Sequence, residues 1–182
     1  MKLEELYEEK CRIDSDINQH IPVFKKYAEE CEHITEMGTR AVVSTYGFLM
    51  GKPKRMVAYD IDPIEKYGVD RTELKSIAAE NGIDFDFIVA DTLTLDIEPT
   101  DLLFIDTYHA YHQLRTELLR HGNKSNKYII MHDTTWHESK GEKPGEDGLW
   151  RAILEFTFNN RSWVIHEKFA NNNGITILKR IR

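Results

Sequence analysis

One pattern repeats along most of this chain: a short apolar run, a polar end carrying an acid, then a stretch with helical spacing. The runs span residues 33–37, 55–61, 84–90, 101–106 and 127–133. Helical spacing follows over 43–50, 71–82, 110–122 and 148–160, and an earlier helix starts from Ser15 or Asp16 as its cap. Strands that are apolar throughout and alternate with helices belong to a parallel sheet covered on both faces. Two last strands, 162–169 and 174–181, are joined only by "ANNN", a turn too short for anything but an antiparallel pair. The expected fold is therefore α/β, Rossmann-like and doubly wound, a mostly parallel seven-stranded sheet with an antiparallel last strand. One connection departs from the pattern. "DTLTLDIEPT" is too short for a crossover helix and must pass as a loop or a single turn.

A length of 182 residues fits one domain, expected over 1–182 with an N-terminal helical segment at 1–32 and an α/β core at 33–182. The net charge of −7 argues against gripping a nucleic-acid backbone, which takes a basic face. Cys11 and Cys31 have no metal-type spacing and suit a reducing compartment, although a single disulfide stays open. "MKLEELYEEK" is too charged for a signal-peptide core, and no run of about 18 apolar residues exists to span a membrane. A cytoplasmic chain is expected, with homo-oligomerisation left open.

In open α/β sheets ligands bind beyond the carboxyl ends of the strands. The residues there are Glu36 and Gly38, Asp60 and Asp62, Asp91, Asp106 and His109, and His132 and Asp133. The first turn, within "ITEMGTRAVVSTYGFL", holds one glycine where a pyrophosphate site needs three; Arg40 and Val43 stand in the other two places. S-adenosylmethionine has a ribose and an adenine but no phosphate. An acid, a single glycine and the small Thr39, Ala41 and Ser44 suit it better than NAD. Asp60 lies about twenty residues beyond Gly38, the spacing of a ribose-binding acid. Asp91 and Thr92 can meet an adenine amino group, or Asp91 can simply close an Asx turn.

Taken together, "TEMGTRAVVSTYGFL", "AYDID", "DLLFIDTYHAYHQL", "YIIMHDTTW", "GLWRAILEF" and "NNNGITILKR" resemble a class I S-adenosylmethionine-dependent methyltransferase. The nearest branch holds cephalosporin-hydroxylase-like and sugar O-methyltransferase-like proteins. The resemblance runs from about Ser15 to the end. It implies an O-methyltransferase of a small-molecule hydroxyl, such as a sugar, with Glu36, Gly38, Thr39, Ser44, Asp60, Ile61, Asp91, Thr92 and Asp106 around the cofactor. Related metal-dependent enzymes place acids at the ends of the two strands that carry Asp106 and Asp133.

Asp106, His132 and Asp133 are accordingly expected as ligands for a divalent metal such as Mg²⁺ or Mn²⁺, with histidine shifting the preference away from Mg²⁺. Asp106, His109 and His132 are the expected catalytic residues, a histidine taking the acceptor's proton. The residues also leave open a metal-dependent hydroxylase or hydrolase, and a non-catalytic ligand-binding protein. The loop 134–147 reads as a lid or substrate wall.

Overall fold

The computed structural model describes residues 2–181. Its centre is a seven-stranded sheet in the order β3-β2-β1-β4-β5-β7-β6. The strands are β1 (His33–Met37), β2 (Arg55–Asp60), β3 (Asp84–Val89), β4 (Thr100–Ile105), β5 (Ser125–His132), β6 (Trp163–Phe169) and β7 (Ile175–Arg180). The first five run parallel, and β7 is antiparallel to both of its neighbours. Its reversal rests on the asparagine turn, where Asn172 (φ 50°) and Asn173 (φ 66°) are left-handed. Asparagine tolerates that region better than most residues.

The helices are α1 (Leu3–Arg12), α2 (Ile21–Ala28), α3 (Val43–Met50), α4 (Arg71–Glu80), α5 (Tyr111–His121) and α6 (Leu149–Asn159). Strand side chains alternate between two apolar layers, as a period of two demands. Ile34, Phe104 and Ile130 face Leu3, Phe24, Phe48 and Leu74 on one side. Met37, Leu103 and Ile129 face Leu114, Leu118, Ile153 and Phe156 on the other. Phe24 and Phe104 pack edge to face at 5.0 Å and anchor α2 to the sheet.

Asp70 caps α4, its carboxylate accepting from the Thr72 and Glu73 amides at 2.8 and 3.1 Å. The helix expected from Ser15 is interrupted. The Ser15 hydroxyl accepts from the Asn18 amide at the start of a 3₁₀ turn (Asn18–His20), and α2 starts only at Ile21, with a proline in its first turn. Between β3 and β4 the short crossover contains no helix, as its length required.

Parallel pairing brings the carboxyl ends of the strands into line. Met37 lies opposite Ile105, and Ile105 opposite Met131, so Asp106 and His132 emerge side by side.

Candidate functional site

The turn after β1 explains its single glycine. Gly38 has φ +83°, and a Cβ there would lie 1.9 Å from the Asp106 carbonyl oxygen. The turn presses backbone on backbone against the end of β4, and only glycine fits. Arg40 (φ 43°) and Val42 (φ 54°) are also left-handed without being glycine. The second strained position is thus Val42, and Val43, which the glycine spacing singles out, is the first residue of α3. A β-branched residue in this region carries strain of about 1–3 kcal/mol. Asp60 offsets it: Oδ2 accepts from the Thr39 amide at 2.8 Å and the Arg40 amide at 2.9 Å, and Oδ1 accepts from the Asp62 amide at 3.0 Å.

Two cavities meet over this turn. One, of about 360 Å³, is lined by Asp60, Ile61, Ala90, Asp91, Thr107 and Gln113, among others. The second, of about 230 Å³, is lined by Asp16, Ile17, Thr39, Ala41 and Ser44, among others. Gly38, Arg40, Tyr67 and Asp106 line both. Ile61 is 70% exposed, an apolar side chain held at the mouth of the larger cavity.

Glu36 does not face either cavity. It is fully buried, and Ser44 and Thr45 donate to its carboxyl at 2.5 and 2.7 Å. Burial pushes its pKa up to about 8 despite those two bonds. The expected ligand contact is therefore a neutral structural group at pH 7, and the Ser44 hydroxyl is spent on it. Asp91 closes an Asx turn, accepting from the Leu93 amide at 2.9 Å, while still lining the larger cavity. Thr92 turns its hydroxyl inward to Glu117, at 2.6 Å.

The polar cluster lies at the ends of β4 and β5. His109 stands in the loop two residues before α5. Its Nε2 is 2.8 Å from Asp133 Oδ2 and 3.2 Å from Asp106 Oδ1, and its Nδ1 is 2.7 Å from Glu142 Oε1. His132 Nδ1 faces the same two aspartates at 3.1 and 3.3 Å. Its Nε2 donates to the Asp16 and Asn172 carbonyls, each at 3.2 Å. Every ring nitrogen thus faces an acceptor, so both rings are imidazolium. Burial opposes the charge, but the aspartates outweigh it and raise His109 to about 10 and His132 to about 11. The same pairing, against the cost of burial, holds Asp106 and Asp133 below the usual carboxylate range.

This bears on two expectations. His132 spends Nε2 on two carbonyls, so only Nδ1, which faces the two aspartates, is placed to meet a metal. His109, charged at neutral pH, is no free base. The ligand atoms that do converge belong to Asp106, His109 and Asp133, all within 4.8 Å of one another. Glu142 reaches the cluster from the loop 134–147, and His137 of that loop stacks on His109 with centroids 4.9 Å apart.

Comparison of the sequence with protein-family models and with curated proteins gave no match. Among solved structures, the chain is similar to the O-methyltransferase from Bacillus cereus in complex with SAH, with 16% identity, a TM-score of 0.63 and coverage of 98% of this chain and 90% of that one. It is similar to O-methyltransferase TomG from Streptomyces achromogenes in complex with SAM, at 14% identity and TM-score 0.64, covering 98% and 90%. The SAH-bound Podospora anserina methyltransferase PaMTH1 gives 14% identity and TM-score 0.64, covering 98% and 87%. The fold is that of the class I methyltransferases.

On the methyltransferase fold, the mostly parallel seven-stranded sheet and the reversed β7 follow the sequence expectation. Sequence reasoning missed Glu117, which is fully buried below the larger cavity. Its signal was present: Gln113, Glu117 and His121 recur every four residues beside the apolar Leu114 and Leu118. A polar stripe at that spacing reads as solvated until a partner is known to cover it.

Proposed function

We propose that this chain transfers the methyl group of S-adenosylmethionine to a hydroxyl of a small molecule. The observation that carries the reading is the pair of joined cavities, which together suit an extended ligand with two different ends. At the larger one, Asp60 retains acceptor capacity for ribose hydroxyls, and Ile61 and Ala90 offer apolar faces for a purine. The smaller one suits the amino-acid end, with Arg40 for its carboxylate. Asp106 lines both cavities and belongs to the polar cluster, which supports a transferred methyl beside that cluster. The similar structures named with SAM or SAH support the same ligand. A sugar is one acceptor of the required chemistry.

In the reaction, an acceptor oxygen attacks the methyl carbon in line, the carbon–sulfur bond breaks with its electron pair going to sulfur, and the hydroxyl proton passes to solvent water. Positioning supplies much of the rate. Asp106, His109 and Asp133 form a donor set of two carboxylates and one imidazole, which fits a divalent cation once the His109 Nε2 proton is displaced. Such a cation lowers the pKa of a bound hydroxyl. Glu142 would keep His109 oriented through Nδ1, and His132 would stay behind the aspartates as a fixed positive charge. Without a cation, charged His109 can stabilise an oxyanion but cannot take its proton.

The test is calorimetric titration with S-adenosylhomocysteine, with and without Mn²⁺, and with NAD as control. Micromolar binding of the first and none of NAD is expected. Equal binding of NAD, or no binding of S-adenosylhomocysteine, would overturn the cofactor reading.

A further inference from the structure

One wall of the smaller cavity does not come from the sheet. Ser15, Asp16 and Ile17, in the stretch between α1 and α2, line it together with Thr39 and Ala41. The later part of this stretch is anchored by packing, since Ile17, Asn18 and His20 are buried. The earlier part has no such anchor, because none of residues 13–16 is buried. Polar contacts have to hold it.

They come from the turn between β6 and β7, 157 residues away in sequence. Asn172 Nδ2 donates to the Ser15 carbonyl at 2.7 Å, and Asn172 Oδ1 accepts from the Gln19 amide at 2.9 Å. A carbonyl can only accept and an amide N–H can only donate, so these partners fix which way the asparagine side chain points. One side chain thus ties Ser15 and Gln19 to a single point. Asn171 Nδ2 adds a bond to Gln19 Oε1 at 2.7 Å, and the Asn171 carbonyl accepts from His20 Nε2 at 2.9 Å. His132 Nε2 meets the Asp16 carbonyl at 3.2 Å. Held in this way, Asp16 lies beside Arg40, with Oδ2 3.7 Å from Nη1, and both residues line the cavity.

We propose that Asn172 is a positioning residue that fastens Ser15–His20 as a strap over the smaller cavity, which holds the amino-acid end of a ligand only while the strap is fastened. Without the Asn172 side chain, Ser15 has no bond to the β6–β7 turn. Affinity falls in proportion to the fastened fraction, and only for a ligand long enough to reach under the strap. The inference rests on the cofactor reading above and adds the part of the chain that closes over one end of the site.

The experiment titrates S-adenosylhomocysteine and 5′-methylthioadenosine, which lacks the amino-acid end, into the parent protein, Asn172→Gly and Asn173→Gly. Glycine suits the left-handed backbone at both positions, φ 50° and 66°, so both variants keep the turn. Asn173 is the control, because the side-chain bonds from the turn to the strap come from Asn171 and Asn172. Asn172→Gly should lose about fivefold to tenfold in affinity for S-adenosylhomocysteine, the weight of two hydrogen bonds, and stay within about twofold for 5′-methylthioadenosine. Asn173→Gly should match the parent with both compounds. In the parent, hydrogen exchange of the amides of residues 15–20 should slow with S-adenosylhomocysteine and not with 5′-methylthioadenosine. Unchanged affinities in Asn172→Gly, equal weakening of both compounds, or an equal loss in Asn173→Gly would overturn the strap and leave the cofactor reading standing. Binding of S-adenosylhomocysteine with no protection of residues 15–20 would do the same. No binding of S-adenosylhomocysteine to the parent would overturn the cofactor reading first, and this inference with it.

Discussion

Glu36 and Asp133 are both acids at the carboxyl end of the sheet, both are buried, and they have opposite electrical fates. Glu36 sits among hydroxyls, which donate hydrogen bonds but bring no charge, and its pKa rises to about 8. Asp133 sits between two imidazolium rings, and its pKa falls below the normal carboxylate range. Burial penalises a charge in either place; a countercharge in contact decides which acid keeps it. A strand-end acid is thus a candidate ligand only where something nearby pays for its ionisation.

Asp133→Asn is the severest way to break this contrast. Asparagine tolerates the left-handed backbone at this position (φ 58°), so the change removes charge and little else. Two buried rings would lose a countercharge, and the cost should be about 3–5 kcal/mol by urea denaturation at pH 7. A loss under about 1 kcal/mol would show that the rings are neutral.

Gly38→Ala probes the ground the two regions share. A methyl group 1.9 Å from the Asp106 carbonyl must push the β1 turn and the end of β4 apart. About 2–3 kcal/mol of stability should go, along with S-adenosylhomocysteine binding measured by calorimetry. Unchanged binding would mean that the two cavities do not form one site.

Glu36→Gln sharpens the contrast through its pH dependence rather than through its effect at one pH. In the parent, the folded chain holds this proton up to about pH 8, whereas an unfolded glutamate loses it near its ordinary value of 4.5. Stability from this group is full below that value and is lost as pH rises through about 8. The variant's stability should therefore fall less steeply than the parent's across that window. Parallel pH profiles would place a charged Glu36 in the folded protein.

The sheet was legible in the sequence because each strand is an apolar run with a polar stop, and the boundaries of β1 and α3 match residue for residue. Helix α1 lies within the helical segment expected at 1–32, but its bounds were not read. Its first turns are crowded with charge, and only Leu3 and Leu6 mark the buried face. Within the candidate site, the positions of Asp60, Asp106 and Asp133 could be read from strand ends, but their partners could not. The partners of the His132 far nitrogen could not be read, because the carbonyls of Asp16 and Asn172 lie 116 and 40 residues away in sequence. Glu117 looked solvated because the loop that covers it arrives from another strand.

The contact between Gly38 and the Asp106 backbone acts as a ruler. Where the two cavities meet, the wall includes main chain packed on main chain, so the spacing between their far ends is set by the sheet rather than by any side chain. Substitutions can reshape either end, at Ser15–Ile17 or at Asp91–Leu93, but none can lengthen the middle. Redesign of this chain for a longer or shorter ligand has to begin at those ends.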